Sequence, residues 1–164
     1  MKSDAELVAE LIANSVTIAT VESCTGGLIA HRITEVAGSS ATFWGSWVTY
    51  DNQAKIALGV SADTLKKYGA VSREVATEMA RAGWDKVRAA QTAPNSPLIV
   101  IATTGIAGPS GGTETKPVGL CWLAVARSPD DIETRRIQAP RELNRSQTKL
   151  YFSNAALELP LKRS

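Results

Sequence analysis

Two turns in this sequence concentrate the residue types that acyl-transfer chemistry requires. The first is Thr20-Val21-Glu22-Ser23-Cys24-Thr25-Gly26-Gly27. An apolar, β-branched run (Val16, Ile18, Val21) leads into it and a helix-patterned segment follows. It therefore reads as a strand-to-helix turn carrying two hydroxyls, a thiol and two glycines. In open α/β sheets ligands bind outside the carboxyl ends of strands, and helix N-termini offer unpaired N–H groups. The second turn is Thr103-Thr104-Gly105-Ile106-Ala107-Gly108-Pro109-Ser110-Gly111-Gly112, entered from the apolar run 98–102. Its glycines allow backbone N–H groups to approach a ligand closely. Neither G-x-x-x-x-G-K-[ST] nor G-x-G-x-x-G occurs, so no P-loop or dinucleotide fingerprint is present.

A third piece is Tyr50 with Lys55, five residues apart across a strand-to-helix junction. A lysine kept neutral by desolvation can serve as general base for a serine hydroxyl, itself a weak nucleophile. Ser39 and Ser40 stand upstream at a helix start. Cys24 is a rival nucleophile, since a helix N-terminus lowers a thiol's pKa. Its base would have to be His31, the sole histidine, two turns into the next helix and directed away from the turn. An inert buried thiol fits Cys24 better. With one histidine, two separated cysteines and no H-E-x-x-H or C-x-x-C spacing, no metal site is expected, and no cofactor.

These groups need a scaffold that brings strand ends together. Apolar spacing predicts helices over 4–13, 25–37, 53–58 and 141–159, a further one after Ser61, and a longer one from Ser72 to about Ala89. Strands are expected over 16–21, 46–50, 98–102, 118–126 and 132–138, the last two as an antiparallel pair. A loop covers 91–97. Five strands whose order mixes crossovers with one late hairpin point to an α/β fold: a three-layer α/β/α sandwich on a mixed sheet. All 164 residues form a single domain.

Bulk properties exclude several classes. The 18 basic and 16 acidic residues nearly balance, and no run of Lys or Arg exceeds two, so there is no nucleic-acid footprint. Apolar runs are too short to span a membrane, and the N-terminus lacks a signal-peptide core, so a cytoplasmic location is expected. Two cysteines do not make a disulfide framework.

Six ordered motifs now carry a resemblance: Glu22-Ser-Cys-Thr-Gly-Gly27, Gly38-Ser-Ser40, Thr49-Tyr50 with Asn52 and Ala54-Lys55, Gly69-Ala-Val-Ser72, Thr104-Gly-Ile-Ala-Gly-Pro109 through Gly111-Gly112, and Lys116-Pro-Val-Gly119. Together they resemble the C-terminal domain of the CinA (competence/damage-inducible) family, over about residues 5–157. Amidase members of that family are nicotinamide-nucleotide amidohydrolases, which convert nicotinamide mononucleotide (NMN) to nicotinate mononucleotide and ammonia. The resemblance implies Ser40 or Ser23 as nucleophile, Lys55 as base and Tyr50 as a relay or orienting hydroxyl. It implies a substrate pocket from Thr104, Gly105, Ile106, Ala107, Gly108 and Gly111, with Arg141 meeting the phosphate. Ser40 is preferred because it shares a segment with Tyr50 and Lys55. The Ser23 turn, with Thr25 and Gly26, then becomes a pocket wall supplying hydroxyls and N–H donors. Larger members carry an N-terminal domain resembling molybdopterin-binding proteins, which the sequence lacks, so a stand-alone form is expected.

Departures from the family pattern lie at Asp51, Gln53 and Ala139-Pro140. A carboxylate at Asp51 beside Lys55 is expected to raise the lysine's pKa. The resemblance implies a small pyridine nucleotide as partner, and Trp44 and Trp47, with family habit, suggest a homo-oligomer. A non-catalytic nucleotide-binding or partner module is the alternative reading.

Overall fold

A computed structural model describes residues 3–91 and 96–159. The expected loop over 91–97 lies mostly outside them. The elements in order are α1 (Asp4–Ala13), β1 (Thr17–Glu22), α2 (Leu28–Thr34), a 3₁₀ turn (Ser39–Ala41), β2 (Phe43–Val48), α3 (Asn52–Leu58), α4 (Ala62–Tyr68), α5 (Arg73–Ala90), β3 (Leu98–Gly105), β4 (Leu120–Ala126), β5 (Ile132–Gln138) and α6 (Arg145–Glu158). The five strands form one mixed sheet in the order β2-β1-β3-β4-β5. β1 pairs in parallel with β2 and β3, while β3–β4 and β4–β5 are antiparallel. The expected three-layer α/β/α sandwich is the observed one.

Strand alternation splits the interior into two cores. Ile18, Ile99, Ile101, Leu123 and Val125 face α1, α2 and α6, joined by Leu11, Ile29, Ile33 and Phe152. Ala19, Val21, Val100, Ala102 and Ala124 face α3, α4 and α5, joined by Leu58, Leu65, Val75 and Met79. The small alanines on this second face let the 18-residue α5 lie close to the sheet. Gly83 marks the contact, since a Cβ there would stand 2.6 Å from Val21 Cγ2 and 2.9 Å from Val100 Cγ1.

Three elements start at least three residues from where they were expected. β2 starts at Phe43, before the expected 46, because the β1–β2 register shifts between Ile18 and Ala19 and leaves Trp44 as an extra residue. Such a bulge breaks the alternation that marks a strand. α2 begins at Leu28 because Gly27 before it is left-handed at φ 92°, outside the helical region, and α6 begins at Arg145 because Asn144 and Gln147 close a capping box. Arg32 ties the three helices of the first face, pairing with Asp4 at 2.6 Å and donating to Ser153 and Asn154.

Among the described residues no helix is long and apolar enough to cross a membrane. No group of three or more His, Cys, Asp or Glu is placed to hold a metal ion among them.

Candidate active site

β1 runs to Glu22, and Ser23 follows in the same extended line, its N–H donating to Thr103 O at 3.0 Å. Residues alternate faces along a strand, so Ser23 shares the Val21 face, toward α3 and α5. Thr104, one step past the Glu22–Thr103 pair, shares that face too. The chain leaves β1 toward β2 on one side and leaves β3 toward β4 on the other. That divergence opens a crevice at the carboxyl ends of the two strands, the usual ligand position in such sheets.

A cavity of about 260 Å³ occupies the crevice, lined by Ser23, Cys24, Tyr50, Asn52, Lys55, Ala70, Val71, Thr104, residues 105–108, Ser110, Gly111 and Arg145. Of the expected site residues it gathers Ser23, Tyr50, Lys55, Thr104, Gly105, Ile106, Ala107, Gly108 and Gly111. A second cavity of about 600 Å³ adjoins it, sharing Ala107, Ser110, Gly111 and Arg145 and adding Arg141.

Lys55 is the most constrained of these groups. Asp51 caps α3 by accepting from Gln53 N at 2.7 Å, which fixes Lys55 one turn into the helix and facing inward. Its side chain is only 1% exposed, and Nζ donates to Thr49 O at 2.8 Å and to Tyr50 O at 3.1 Å. Burial pushes the amine below its ordinary pKa of 10.5; Cys24 and then Asp51 act upward, and more weakly. Asp51 thus acts upward as expected, but it does not set the net direction. Desolvation outweighs the carboxylate, which is committed to capping.

Ser40 is separated from this site. It is an exposed residue of the 3₁₀ turn that precedes β2, whose Phe43 pairs with Ile18 at the amino end of β1. Ser23 follows the opposite end, five residue steps along β1, or roughly 16 Å away at about 3.3 Å per step. Nearness to Lys55 in sequence was a poor guide, because the whole of β2 intervenes. Thr25 is also misplaced as a ligand contact. It is fully buried on the other face, donating to Glu22 Oε2 at 2.7 Å and lying 2.9 Å from Thr103 Oγ1. Gly26 does not line the cavity, and Arg141 lines the adjoining one.

The α2 N-terminus is not open to an anion either. Glu22, fully buried, accepts from Gly27 N at 3.0 Å, Ile29 N at 3.1 Å and Ala30 N at 2.9 Å. The first turn thus carries its own carboxylate where a ligand was expected. Cys24 Sγ lies 3.8 Å from Cys121 Sγ, and both thiols are buried. Burial, then the Cys24 contact, pushes the Cys121 thiol well above 9.0. His31 is exposed, 4.0 Å from Glu35, so it gives Cys24 no base.

Arg145 was missed by the sequence reading. Its guanidinium donates to Gly108 O at 2.6 Å and to Tyr50 Oη at 2.8 Å, tying α6 to the glycine-rich loop and to the rim tyrosine. The Asn144-x-x-Gln147 capping signature could have found it, since that pattern starts the helix at residue 145. Tyr50 is 59% exposed, and Lys55 meets its carbonyl rather than its hydroxyl.

The family model for the CinA C-terminal domain matches residues 1–163. A CinA-like protein of Chloroherpeton thalassium is 47% identical over 161 residues, covering 94% of this chain and 36% of that protein. A CinA-like protein of Desulfosudis oleivorans is 46% identical over 156 residues, covering 94% and 35% respectively. The chain thus spans about a third of the length of these curated relatives. Among solved structures, the competence/damage inducible protein of Agrobacterium tumefaciens superposes with a TM-score of 0.85 at 36% identity, covering 98% of this chain and 95% of that one. A CinA superfamily protein of Escherichia coli gives 0.84 at 29% identity, covering 96% and 86%. The chain belongs to the CinA C-terminal domain family.

Proposed function

We propose that this protein is an amidohydrolase that deamidates nicotinamide mononucleotide through Ser23 and Lys55. One observation carries the reading: a buried lysine shares a cavity with a strand-end serine, and its two hydrogen bonds both go to carbonyl oxygens. A neutral amine has two N–H donors and one lone pair. Deprotonated, Lys55 can keep both contacts through its two N–H groups and still hold a lone pair to accept a proton, and burial favours that neutral form.

In this reading Ser23 Oγ attacks the carboxamide carbon while Lys55 Nζ takes the hydroxyl proton. The tetrahedral oxyanion is met by main-chain N–H groups of Cys24, Ala107 and Gly108, which make no hydrogen bond to another described residue. Collapse breaks the C–N bond, Lys55 returns the proton to nitrogen, and ammonia leaves an acyl-serine ester. Water, deprotonated by Lys55, attacks that ester, and nicotinate mononucleotide departs as Ser23 Oγ takes the proton back from Lys55. The pyridine ring fits the smaller cavity, and ribose phosphate extends into the larger one toward Arg141 and Arg145. Tyr50 orients Arg145 rather than relaying protons to Lys55.

Ammonia release from NMN tests the reading. Wild type should turn over, Ser23→Ala and Lys55→Ala should lose roughly a hundredfold or more, and Ser40→Ala and Cys24→Ala should keep most of the rate. Equal inertness of wild type and Lys55→Ala, with NMN still bound, would instead support a non-catalytic binding module. Loss of rate in Cys24→Ala alone would point to a thiol nucleophile.

A further inference from the structure

Outside the catalytic crevice, a cavity of about 410 Å³ opens between the start of α5 and the outer strands, lined in part by Tyr68, Arg73, Glu74, Lys116, Trp122 and Arg136. Three cations face one carboxylate there. Arg73 and Arg136 have no side-chain partner among the described residues. The acid on β5, Glu133, is already engaged by Arg127 at 3.3 Å and Arg135 at 3.9 Å. Lys116 Nζ commits one donor to Tyr68 O at 2.5 Å. Trp122 and Arg136 are cross-strand partners, so a half-buried indole stands directly beside a free guanidinium. Guanidinium groups match phosphate oxygens with paired donors, and an indole face offers stacking to a flat heterocycle.

We infer that this cavity is a second ligand site, for a phosphorylated heteroaromatic molecule of the nucleoside monophosphate class. The phosphate meets Arg73, Arg136 and Lys116, and the base lies on Trp122. The site also adjoins the catalytic one through a shared wall. Val71 lines both cavities, and Thr104 Oγ1 in the catalytic crevice holds Ala70 O at 2.7 Å. A phosphate that draws Lys116 from Tyr68 O therefore bears on the 68–72 segment, which borders both cavities.

Titration of the full chain with adenosine monophosphate, read by tryptophan fluorescence and calorimetry, tests the assignment. The expected result is saturable binding, weakened at least tenfold in Arg73→Ala/Arg136→Ala and largely retained in Arg145→Ala. Trp122→Phe should remove most of the fluorescence change. Absence of saturable binding overturns the inference. So does binding lost in Arg145→Ala but kept in the double variant, which would put the nucleotide in the catalytic crevice. Equal affinity for inorganic phosphate would overturn the heteroaromatic assignment. No arm requires NMN turnover, so the outcome is separable from that of the amidase reading.

Discussion

Lys55 shows how a single side chain is tuned by being removed from water. Burial disfavours the ammonium, so the folded-state pKa falls below 10.5 and the neutral amine forms at lower pH than in a free lysine. Rate should therefore rise with pH through that lowered pKa. We expect kcat/KM for NMN to show an ascending limb centred below 10.5. Lys55→Arg, cationic throughout, should lose both the limb and roughly a hundredfold or more in rate. The linkage to stability has the matching sign. Between the folded pKa and 10.5 the unfolded chain binds a proton the folded chain does not, so this group's contribution increases as pH rises through that window and is unfavourable below it.

Glu22 is the other residue whose setting is informative. Its carboxylate accepts from three main-chain N–H groups and from Thr25 and Thr20 hydroxyls, the last at 3.2 Å. Glu22→Gln replaces one acceptor oxygen by an NH₂ that faces donors. Charged hydrogen bonds and a lost helix cap together predict about 3 kcal/mol of destabilisation. For a chain of this size that is a Tm drop of roughly 6–12 °C, measurable by thermal unfolding.

At the scale of elements, α5 is held to the sheet by what it lacks. Ala at position 83 would improve helix propensity by about 1 kcal/mol, yet its Cβ would enter the Val21 and Val100 side chains. Overpacking of that kind costs about 1–3 kcal/mol, so Gly83→Ala should be net destabilising in urea titration. Adding Val21→Ala should recover part of the loss, a non-additivity that a double-mutant cycle reads directly. β2 carries the opposite lesson. Its bulge at Trp44 hid the first half of the strand from a period-two reading, and that half determines where Ser40 lies.

At the scale of the whole molecule, β2 is an edge strand, and edges expose unpaired backbone groups. Trp44 is 41% exposed, stacked on Trp47 with ring centroids 5.2 Å apart, and Val48 is 51% exposed. We propose a homodimer that pairs this edge. Sedimentation should give twice the chain mass for wild type, and Trp44→Lys should shift it toward the monomer. A monomeric wild type would remove the proposal.

Much of this was legible from the sequence. Unbroken apolar runs and helical spacing carry local information, so the strands at 98–102 and 132–138, the α5 pattern and the three-layer class followed from periodicity alone. The chemical inventory was legible too: a serine at a strand end, a lysine after a capped turn and a glycine-dense loop. What periodicity does not encode is which end of the sheet a residue occupies. Ser40 is near Lys55 along the chain and a strand's length away in space, whereas Ser23 is far along the chain and shares its cavity. Likewise the α2 N-terminus looked like an anion site until the buried Glu22 was seen to fill it. Sequence determined the elements and the supply of groups, because those depend on neighbours a few residues away. Only tertiary structure decided which groups meet, because strand order and burial depend on contacts between distant segments.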